Sequence, residues 1–326
     1  MEPEMTKHDY HLSRRGFCLC CLGGATFAAT GGWLTPAEVF AAAKSLVVQI
    51  REAAATADIT TTKLRGGISA LSGSGGNMGV LVGDDGKLLV DAGITATRPK
   101  IEKVLADLGP QPIKHLINSH WHFDHTDGNE WLNSEGAMIM AHPNSLKHLT
   151  VATRVVDWDF DFPASPKGAL PTMLMKGDEE TLKQNGQTIK LKYYGPAHTD
   201  SDISVFFQEA NVVHVADTFW NGVYPFIDYS TGGSIDGQIQ AAEANVKMVD
   251  DQTIVIPGHG EIGNKKDLID WRDMLVGIRE NVAKLKKDGR SVEETIAAKP
   301  TAKWDSVFGN WAISPALFTR LAYEGV

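Results

Sequence analysis

The chain has 326 residues, a formal net charge of −9, 43% hydrophobic residues and 22% charged residues. This balance is typical of a folded globular protein and excludes a disordered or fibrous chain. The acidic charge argues against a dedicated nucleic-acid binder, which needs a basic face. No apolar run is long and pure enough to predict a stable membrane span.

The N-terminal segment has the composition of a targeting signal rather than of a folded element. Arg14 and Arg15 stand just before a glycine-rich, mildly apolar stretch over residues 17–34. Residues 41–43 are three alanines, which suit a signal-peptidase site. The segment resembles a bacterial twin-arginine signal, so residues 1–43 are predicted to be removed after export. The alternative is an ordinary basic N-terminus on a weakly apolar helix.

Export predicts a location and a partner for the remaining chain. Residues 44–326 are predicted to be a single soluble domain that is periplasmic or secreted, with the twin-arginine translocase as partner. All three cysteines, Cys18, Cys20 and Cys21, lie in the predicted signal. The mature chain therefore has no thiol for a disulfide, a metal site or a nucleophile.

Two strand-rich halves follow, and each is succeeded by helix. Short β runs bounded by turn residues predict strands over 59–65, 67–71, 78–82, 87–90, 115–118, 138–141, 181–183, 188–193, 203–207, 212–216 and 253–256. Helical patterns cover 98–108, 144–150 and 238–249, and dominate the C-terminal part over 264–326. Sheets covered by helices are therefore expected. This mixed α/β pattern allows two packed sheets or a doubly wound sheet.

A dense histidine cluster follows the strand predicted at 115–118. Residues 119–125 read Ser-His-Trp-His-Phe-Asp-His. In an extended segment His120 and His122 point to the same side, so they can share one metal ion. Asp124 and His125 follow as the chain turns and can face a neighbouring position. Imidazole and carboxylate are usual zinc ligands, with manganese and iron as alternatives.

Three further candidate ligands follow predicted strands downstream. They are His198, Asp217 and His259, each next to an apolar run. Loops at strand ends are where functional sites are usually built. Gly258 and Gly260 flank the last histidine and let the backbone approach closely.

These motifs, in this order from about residue 59 to residue 259, resemble those of the metallo-β-lactamase-fold hydrolase superfamily. The resemblance implies an αββα sandwich and two zinc ions per chain. It implies a first metal site formed by His120, His122 and His198, and a second formed by Asp124, His125 and His259. It also implies that the Asp217 carboxylate bridges the two ions and that Asp91 supports the ligands from behind.

The resemblance also implies a reaction on a small-molecule substrate. A hydroxide held by the two metal ions would attack the acyl carbonyl of an ester, lactone, thioester or lactam. Asp124 is expected to be the catalytic residue that orients this nucleophile. The aspartate at position 217 is typical of glyoxalase II and lactonase branches, whereas true β-lactamases usually carry cysteine or serine there.

Several segments are candidates for the substrate pocket. The glycine-rich loop 72–77 is predicted to be a mobile flap. Aromatic and amide side chains near the metal motifs are predicted to line the pocket, namely Trp158, Trp220, Asn221, Tyr224 and Phe226. An aromatic pocket with few cations favours a neutral or modestly polar substrate.

Three alternative functions remain open from the sequence. The chain could be a true β-lactamase, an iron-dependent oxidoreductase on the same fold, or a non-catalytic periplasmic metal-binding module. One iron per chain would favour the oxidoreductase. Failure of the metal-loaded protein to turn over any acyl substrate would favour the binding module.

Overall fold

The computed structural model describes residues 46–326. The predicted export signal, with its three cysteines, lies outside the described residues. Within them the strands are β1 Thr60–Lys63, β2 Ile68–Ser72, β3 Met78–Leu81, β4 Lys87–Val90, β5 Ile113–Ile117, β6 Met138–Ala141, β7 Thr153–Val155, β8 Phe160–Phe162, β9 Met173–Leu174, β10 Glu179–Gln184, β11 Gln187–Tyr193, β12 Ile203–Phe207, β13 Val212–Trp220 and β14 Ile254–His259. The α-helices of the same part are α1 Leu46–Thr56, α2 Arg98–Leu108, α3 Phe123–Thr126, α4 Asn129–Ser134, α5 Pro143–Leu149, α6 Ile235–Met248, α7 Lys265–Lys287, α8 Val292–Ala297, α9 Asp305–Phe308 and α10 Pro315–Glu324.

Two sheets form the centre of the described structure. The first has the strand order β1-β2-β3-β4-β5-β6-β9, and the second has the order β10-β11-β12-β13-β14. The first is antiparallel from β1 to β4 and parallel from β4 to β9. The second is antiparallel except for the parallel pair β13–β14. Strands β7 and β8 form a separate small hairpin.

The side chains of β4 show how the sheets pack. Leu88 and Val90 lie in the cluster between the two sheets, together with Phe207 of β12. Leu89, between them in sequence, lies in the outer cluster with Ile101 of α2. Because strand side chains alternate, one apolar strand serves both layers.

The outer face of the second sheet is covered by helices. Val213 and Val215 of β13 share a cluster with Ala242 of α6 and with Leu268 and Trp271 of α7. The layers therefore run helix, sheet, sheet, helix. This confirms the predicted αββα sandwich with C-terminal helices and excludes the doubly wound alternative.

The topology gathers the candidate ligands at one edge. Strands β4 and β5 are parallel neighbours, as are β13 and β14, so their carboxyl ends point the same way within each sheet. Asp91 follows β4 and residues 119–125 follow β5. Asp217 and His259 lie in the C-terminal halves of β13 and β14.

Two local predictions differ from the structure. Strand β13 does not end at Asp217 but continues to Trp220, past a register shift at Ala216, where φ is +45°. A bulge redirects side chains without ending the strand. The segment containing His120 and His122 is also not extended strand, because β5 ends at Ile117 and a helical turn begins at Phe123.

The length and composition of the helices show whether any of them could span a membrane. Within residues 46–326 no helix combines the length and apolar character needed to cross a bilayer.

Candidate metal centre

Five histidines and two aspartates converge at the sheet edge. Among the described residues, three groups bring ligand atoms within 4.8 Å of one another: His120, His122 and His198; His120, His125 and Asp217; and Asp124, His125 and His259. All seven side chains belong to residues that are at most 7% exposed. The structure thus brings together every residue for which the sequence predicted a ligand role.

Asp217 lies at the centre of this cluster. Its Oδ2 is 3.2 Å from His198 Nε2 and 3.5 Å from His259 Nε2, and its Oδ1 is 3.1 Å from His125 Nε2. The bulge at Ala216 turns the carboxylate to this position. One carboxylate therefore reaches histidines of both predicted metal sites.

Hydrogen bonds behind the cluster fix the orientation of the histidine rings. His198 Nδ1 donates to the Phe226 carbonyl at 2.7 Å, which leaves Nε2 facing the cluster. His120 Nδ1 is 3.0 Å from Ser119 Oγ. His125 Nδ1 is 2.8 Å from Asp91 Oδ2. Such partners set the tautomer and direction of a ligating histidine.

Asp91 lies behind the ligands, in the place that the resemblance implied. Its carboxylate accepts hydrogen bonds from the Ser119 backbone and hydroxyl, both at 2.7 Å, besides the contact with His125. Its φ is +65°, which is unusual for a residue other than glycine. Strained backbone of this kind persists only where the surroundings hold it, and it clusters at functional sites.

A fourth carboxylate was missed by the sequence analysis. Asp228 Oδ2 lies 3.0 Å from His122 Nε2, so the other ring nitrogen of His122, Nδ1, faces the cluster, 2.8 Å from His198 Nε2. Asp228 also accepts hydrogen bonds from Ser230 and Thr231. The only sequence signal for it was its position in the aromatic segment after Asp217.

The glycine-rich loop 72–77 does not form a flap. Ser74 and Asn77 are at most 4% exposed. Asn77 Nδ2 donates to the carbonyls of Pro257 and Gly260, at 3.0 Å and 2.9 Å, on both sides of His259. The prediction of a mobile flap is therefore wrong, because the loop is buried and bonded to the strand that carries a candidate ligand.

Two glycines of this loop allow it to approach the cluster. A Cβ atom at Gly76 would lie 2.0 Å from His125 Cε1, and one at Gly75 would lie 2.6 Å from the Asp124 carbonyl oxygen. No side chain fits at these distances. The glycines therefore serve close packing behind His125 and Asp124, not flexibility.

The electrostatics of the cluster depend on its carboxylates. Burial lowers the pKa of His125, but Asp217 and then Asp124 and Asp91 raise it well above the ordinary value. For His259, burial is likewise outweighed by Asp217 and Asp124, which raise the pKa to about 9. Burial lowers the pKa of His120 well below its ordinary value. Without a metal ion, protons on these two histidines would therefore compensate part of the carboxylate charge.

The unpaired atoms of the cluster test whether a metal ion fits. His120 Nε2 is buried and has no hydrogen-bond partner among the described residues, and His125 Nε2 and Asp217 Oδ1 lie 3.1 Å apart without hydrogen-bond geometry. Buried polar atoms are rarely left unpaired in folded proteins. Imidazole nitrogens and carboxylate oxygens are also the donors that zinc prefers. The residues present therefore fit a metal ion.

A narrow pocket leads to the cluster. Its volume is about 20 Å³, and it is lined by Ile50, His122, Asp124, Trp158, His198, Asp217, Trp220, Phe226, His259, Trp311, Ala312 and Ile313. Three of the five predicted pocket residues, Trp158, Trp220 and Phe226, are in this lining. The remaining lining residues outside the cluster, Ile50 and 311–313, were not predicted to line the pocket because no sequence motif marks them.

Two predicted pocket residues lie elsewhere, and their placement corrects the sequence analysis. The Asn221 amide donates to the Glu261 carbonyl at 2.8 Å. Tyr224 is fully buried, its ring stacks 4.9 Å from that of Phe318, and its hydroxyl donates to Asp305 at 2.9 Å. These contacts hold both side chains outside the pocket lining.

Comparison with known proteins establishes the family. Residues 71–259 match the model of the metallo-beta-lactamase superfamily, and the chain belongs to that superfamily. A probable metallo-hydrolase of Methanocaldococcus jannaschii is 30% identical over 189 residues, which cover 55% of this chain and 84% of the relative. The superfamily is largely hydrolytic, and its members typically bind metal ions.

A second curated relative is more distant. The alpha subunit of the 2,4-dinitroanisole O-demethylase of a Nocardioides species is 24% identical over 167 residues, which cover 50% of this chain and 47% of the relative. This chain thus matches about half the length of that subunit.

Solved structures show the same fold. The stereoselective inverting sec-alkylsulfatase Pisa1 from Pseudomonas sp. has a TM-score of 0.61 and 16% identity, covering 85% of this chain and 51% of the sulfatase. The DIM-1 metallo-beta-lactamase has a TM-score of 0.53 and 21% identity, covering 67% of this chain and 97% of the lactamase. The chain spans about half the length of the sulfatase. At sequence identities this low, the similarity to these two structures shows a shared fold only.

We expect Gly76→Ala to weaken metal binding by about 10-fold to 100-fold, because the new methyl group must push the His125 ring away from its place. Competition with a chromophoric chelator measures the affinity. Gly177→Ala is the matched control, since a Cβ there meets nothing within 4 Å. Equal affinities of the two variants would contradict the packing role of Gly76.

We expect zinc binding to release protons near neutral pH. His259, with a pKa of about 9, and His125, whose pKa is also raised, must lose their protons before they can ligate. Affinity should therefore fall as the pH falls. Calorimetric zinc titrations in buffers of different ionisation heat measure the number of protons. In His259→Gln this number should drop by about one. A zinc affinity that does not change between about pH 6 and pH 8 would contradict the expectation.

Proposed function

We propose that this protein is a binuclear zinc-dependent hydrolase of uncharged acyl compounds, namely apolar esters and lactones. One observation carries the proposal: a buried cluster of five histidines and two aspartates opens into an aromatic pocket, and the described residues that line this pocket include no lysine or arginine. The superfamily membership supports a hydrolytic reaction.

The ligand groups of the cluster divide naturally into two sites. One ion would be held by His120, His122 and His198, the other by Asp124, His125 and His259, and Asp217 reaches both groups. Bound zinc ions would supply Lewis acidity, which polarises a carbonyl and lowers the pKa of water to roughly 7.

Asp124 is the residue of the cluster best placed to act on the attacking water. It lines the pocket, and its Oδ2 lies 3.3 Å from His259 Nε2 and 3.6 Å from His125 Nε2. A carboxylate there accepts a hydrogen bond from the water and fixes its orientation toward the substrate. Residues 46–326 contain no cysteine, so none of the described residues could supply a thiol nucleophile.

The pocket walls argue for an uncharged substrate. Trp158, Trp220, Trp311 and Phe226 present aromatic rings, and the remaining side chains of the lining are aliphatic or belong to the cluster. An anionic substituent, such as a carboxylate or a sulfate, would enter an apolar wall with no cationic side chain to pair with it. Aromatic walls suit the apolar part of an ester or lactone.

The test is a comparison of zinc-loaded full-length protein on matched chromogenic substrates. We expect kcat/KM for 4-nitrophenyl butyrate to exceed that for 4-nitrophenyl sulfate and for a chromogenic β-lactam by about tenfold or more. Asp124→Asn should lower kcat by roughly 10²-fold to 10⁴-fold. The control is Asp127→Asn, whose carboxylate accepts a hydrogen bond from the Thr95 backbone outside the pocket lining. The sulfate and the β-lactam are the anionic substrates of this comparison. A higher kcat/KM for either of them than for the butyrate would refute the proposed substrate class.

Metal analysis of the same preparation separates the alternative functions. We expect about two zinc ions per chain, as in two-metal hydrolytic sites. One iron per chain would favour the oxidoreductase. Zinc binding without turnover of any ester, lactone, thioester or β-lactam would favour the non-catalytic module.

We also propose that the protein is exported by the twin-arginine translocase and is loaded with metal in the cytoplasm beforehand. The support is the order of the arginine pair, the apolar stretch and the alanines in residues 1–43. The pair of substitutions Arg14→Lys and Arg15→Lys should leave metal-containing protein in the cytoplasmic fraction. Lys7→Ala is the control in the same segment. Normal export of the double variant, or only metal-free protein in its cytoplasm, would contradict the proposal.

A further inference from the structure

The roof of the pocket comes from outside the region that defines the family. The family model covers residues 71–259. Ile50 belongs to α1, before that region, whereas Trp311, Ala312 and Ile313 belong to the connection between α9 and α10, after it. We call residues 309–314 the roof loop.

Trp311 is the aromatic side chain of the roof loop, and it contacts a candidate metal ligand. Its ring centroid is 5.2 Å from that of His259 and 5.4 Å from that of Trp220. Its indole Nε1 is buried and has no hydrogen-bond partner among the described residues. The ring therefore packs against His259, one of the candidate metal ligands.

The roof loop is anchored at its two ends. Gly309 N donates to the Asp305 carbonyl at 2.9 Å, and the preceding Phe308 carbonyl accepts from Tyr224 N at 2.9 Å. At the other end the Ser314 hydroxyl accepts from Leu317 N at 3.2 Å, which caps α10. Between these anchors, within the described part of the chain, no backbone N–H of residues 310–313 donates a hydrogen bond. Side chains also hold the loop, because Asn310 Nδ2 donates to the Ser306 carbonyl at 3.0 Å and Ile313 is 1% exposed. Opening the loop would therefore break these side-chain contacts but no backbone hydrogen bond donated by residues 310–313.

The size of the pocket requires such an opening. A volume of about 20 Å³ holds about one water molecule. An ester or lactone has several heavy atoms, and pockets for small molecules usually measure about 300–1,000 Å³. The other lining residues lie on α1, on strands β13 and β14, and on the segments that follow β5, β7, β11 and β13. The roof loop is a wall whose central residues, 310–313, donate no backbone hydrogen bond.

We propose that Trp311 is a specificity-determining residue and that the roof loop is the gate through which the acyl compound enters. The inference rests on the function proposed above and adds the element that selects the acyl group. With Trp311 in place, short acyl groups fit beside the ring after a small displacement of the loop. Long acyl groups require the ring to leave its contacts with His259 and Trp220.

The test compares Trp311→Ala and Trp311→Leu with Trp304→Ala in the full-length, zinc-loaded protein. Trp304 is the matched control because it lies near the same loop, packs on Gly277 of α7 and is not in the pocket lining. The measurement is the ratio of kcat/KM for 4-nitrophenyl octanoate to that for 4-nitrophenyl acetate. We expect both Trp311 variants to raise this ratio by about tenfold or more and Trp304→Ala to leave it unchanged.

A ratio within about twofold of the unsubstituted protein in the folded Trp311 variants would overturn the proposal, and so would an equal change in Trp304→Ala. The two Trp311 variants differ in how much volume they remove, so either one suffices if the other does not fold.

A binding measurement separates this proposal from the proposed hydrolysis. Acetohydroxamate and octanohydroxamate are titrated calorimetrically into the same zinc-loaded proteins. If no variant hydrolyses esters but the Trp311 variants bind the long hydroxamate about tenfold more tightly relative to the short one, the hydrolytic function fails and the role of Trp311 stands. If hydrolysis occurs but neither ratio changes, the role of Trp311 fails and the hydrolytic function stands.

Discussion

The burial of carboxylates beside histidines is the constraint on which the site depends. Asp91, Asp124 and Asp217 are at most 5% exposed, and each has an oxygen close to a histidine of the cluster. A buried carboxylate without compensating positive charge is strongly unfavourable. The charge comes either from protons, as the raised pKa values of His125 and His259 show, or from metal ions. Metal binding would therefore replace one form of charge compensation by another.

This constraint explains the unusual backbone around the site. Asp91 and Ala216 have φ values of +65° and +45°, and Gly76 approaches the His125 ring more closely than any other residue could. Each of these unusual backbone conformations lets a carboxylate or an imidazole take a position in the cluster that a regular strand or turn would not allow. The two-sheet core, with fully buried residues such as Leu88 and Phe207, holds these conformations in place.

The sequence predicted which seven side chains come together, because they are chemically distinctive and follow strands. It did not predict Asp228, since one aspartate in an aromatic segment resembles many others until folding brings it to His122. Proximity in sequence to Asp217 was misleading for Tyr224, because Asp305, distant along the chain, holds its hydroxyl. Glycine in loop 72–77 was interpreted as flexibility, although it equally permits the close packing that the structure shows. Contacts between distant segments decide these cases, and local pattern does not contain them.

The charge of the site connects the ligand cluster to the choice of substrate. Four buried carboxylates, those of Asp91, Asp124, Asp217 and Asp228, contact histidines of the cluster. Two divalent ions would bring four positive charges, so the loaded site would be close to neutral. Under the proposed function, the aromatic wall around such a site would offer a charged substituent no cationic side chain from the described residues. The ligand cluster can therefore be shared by enzymes that act on different compounds, while the walls decide which compound enters. In this chain those walls include Trp311, which lies outside the region that the family model matches, so the selectivity proposed above would depend on the C-terminal segment.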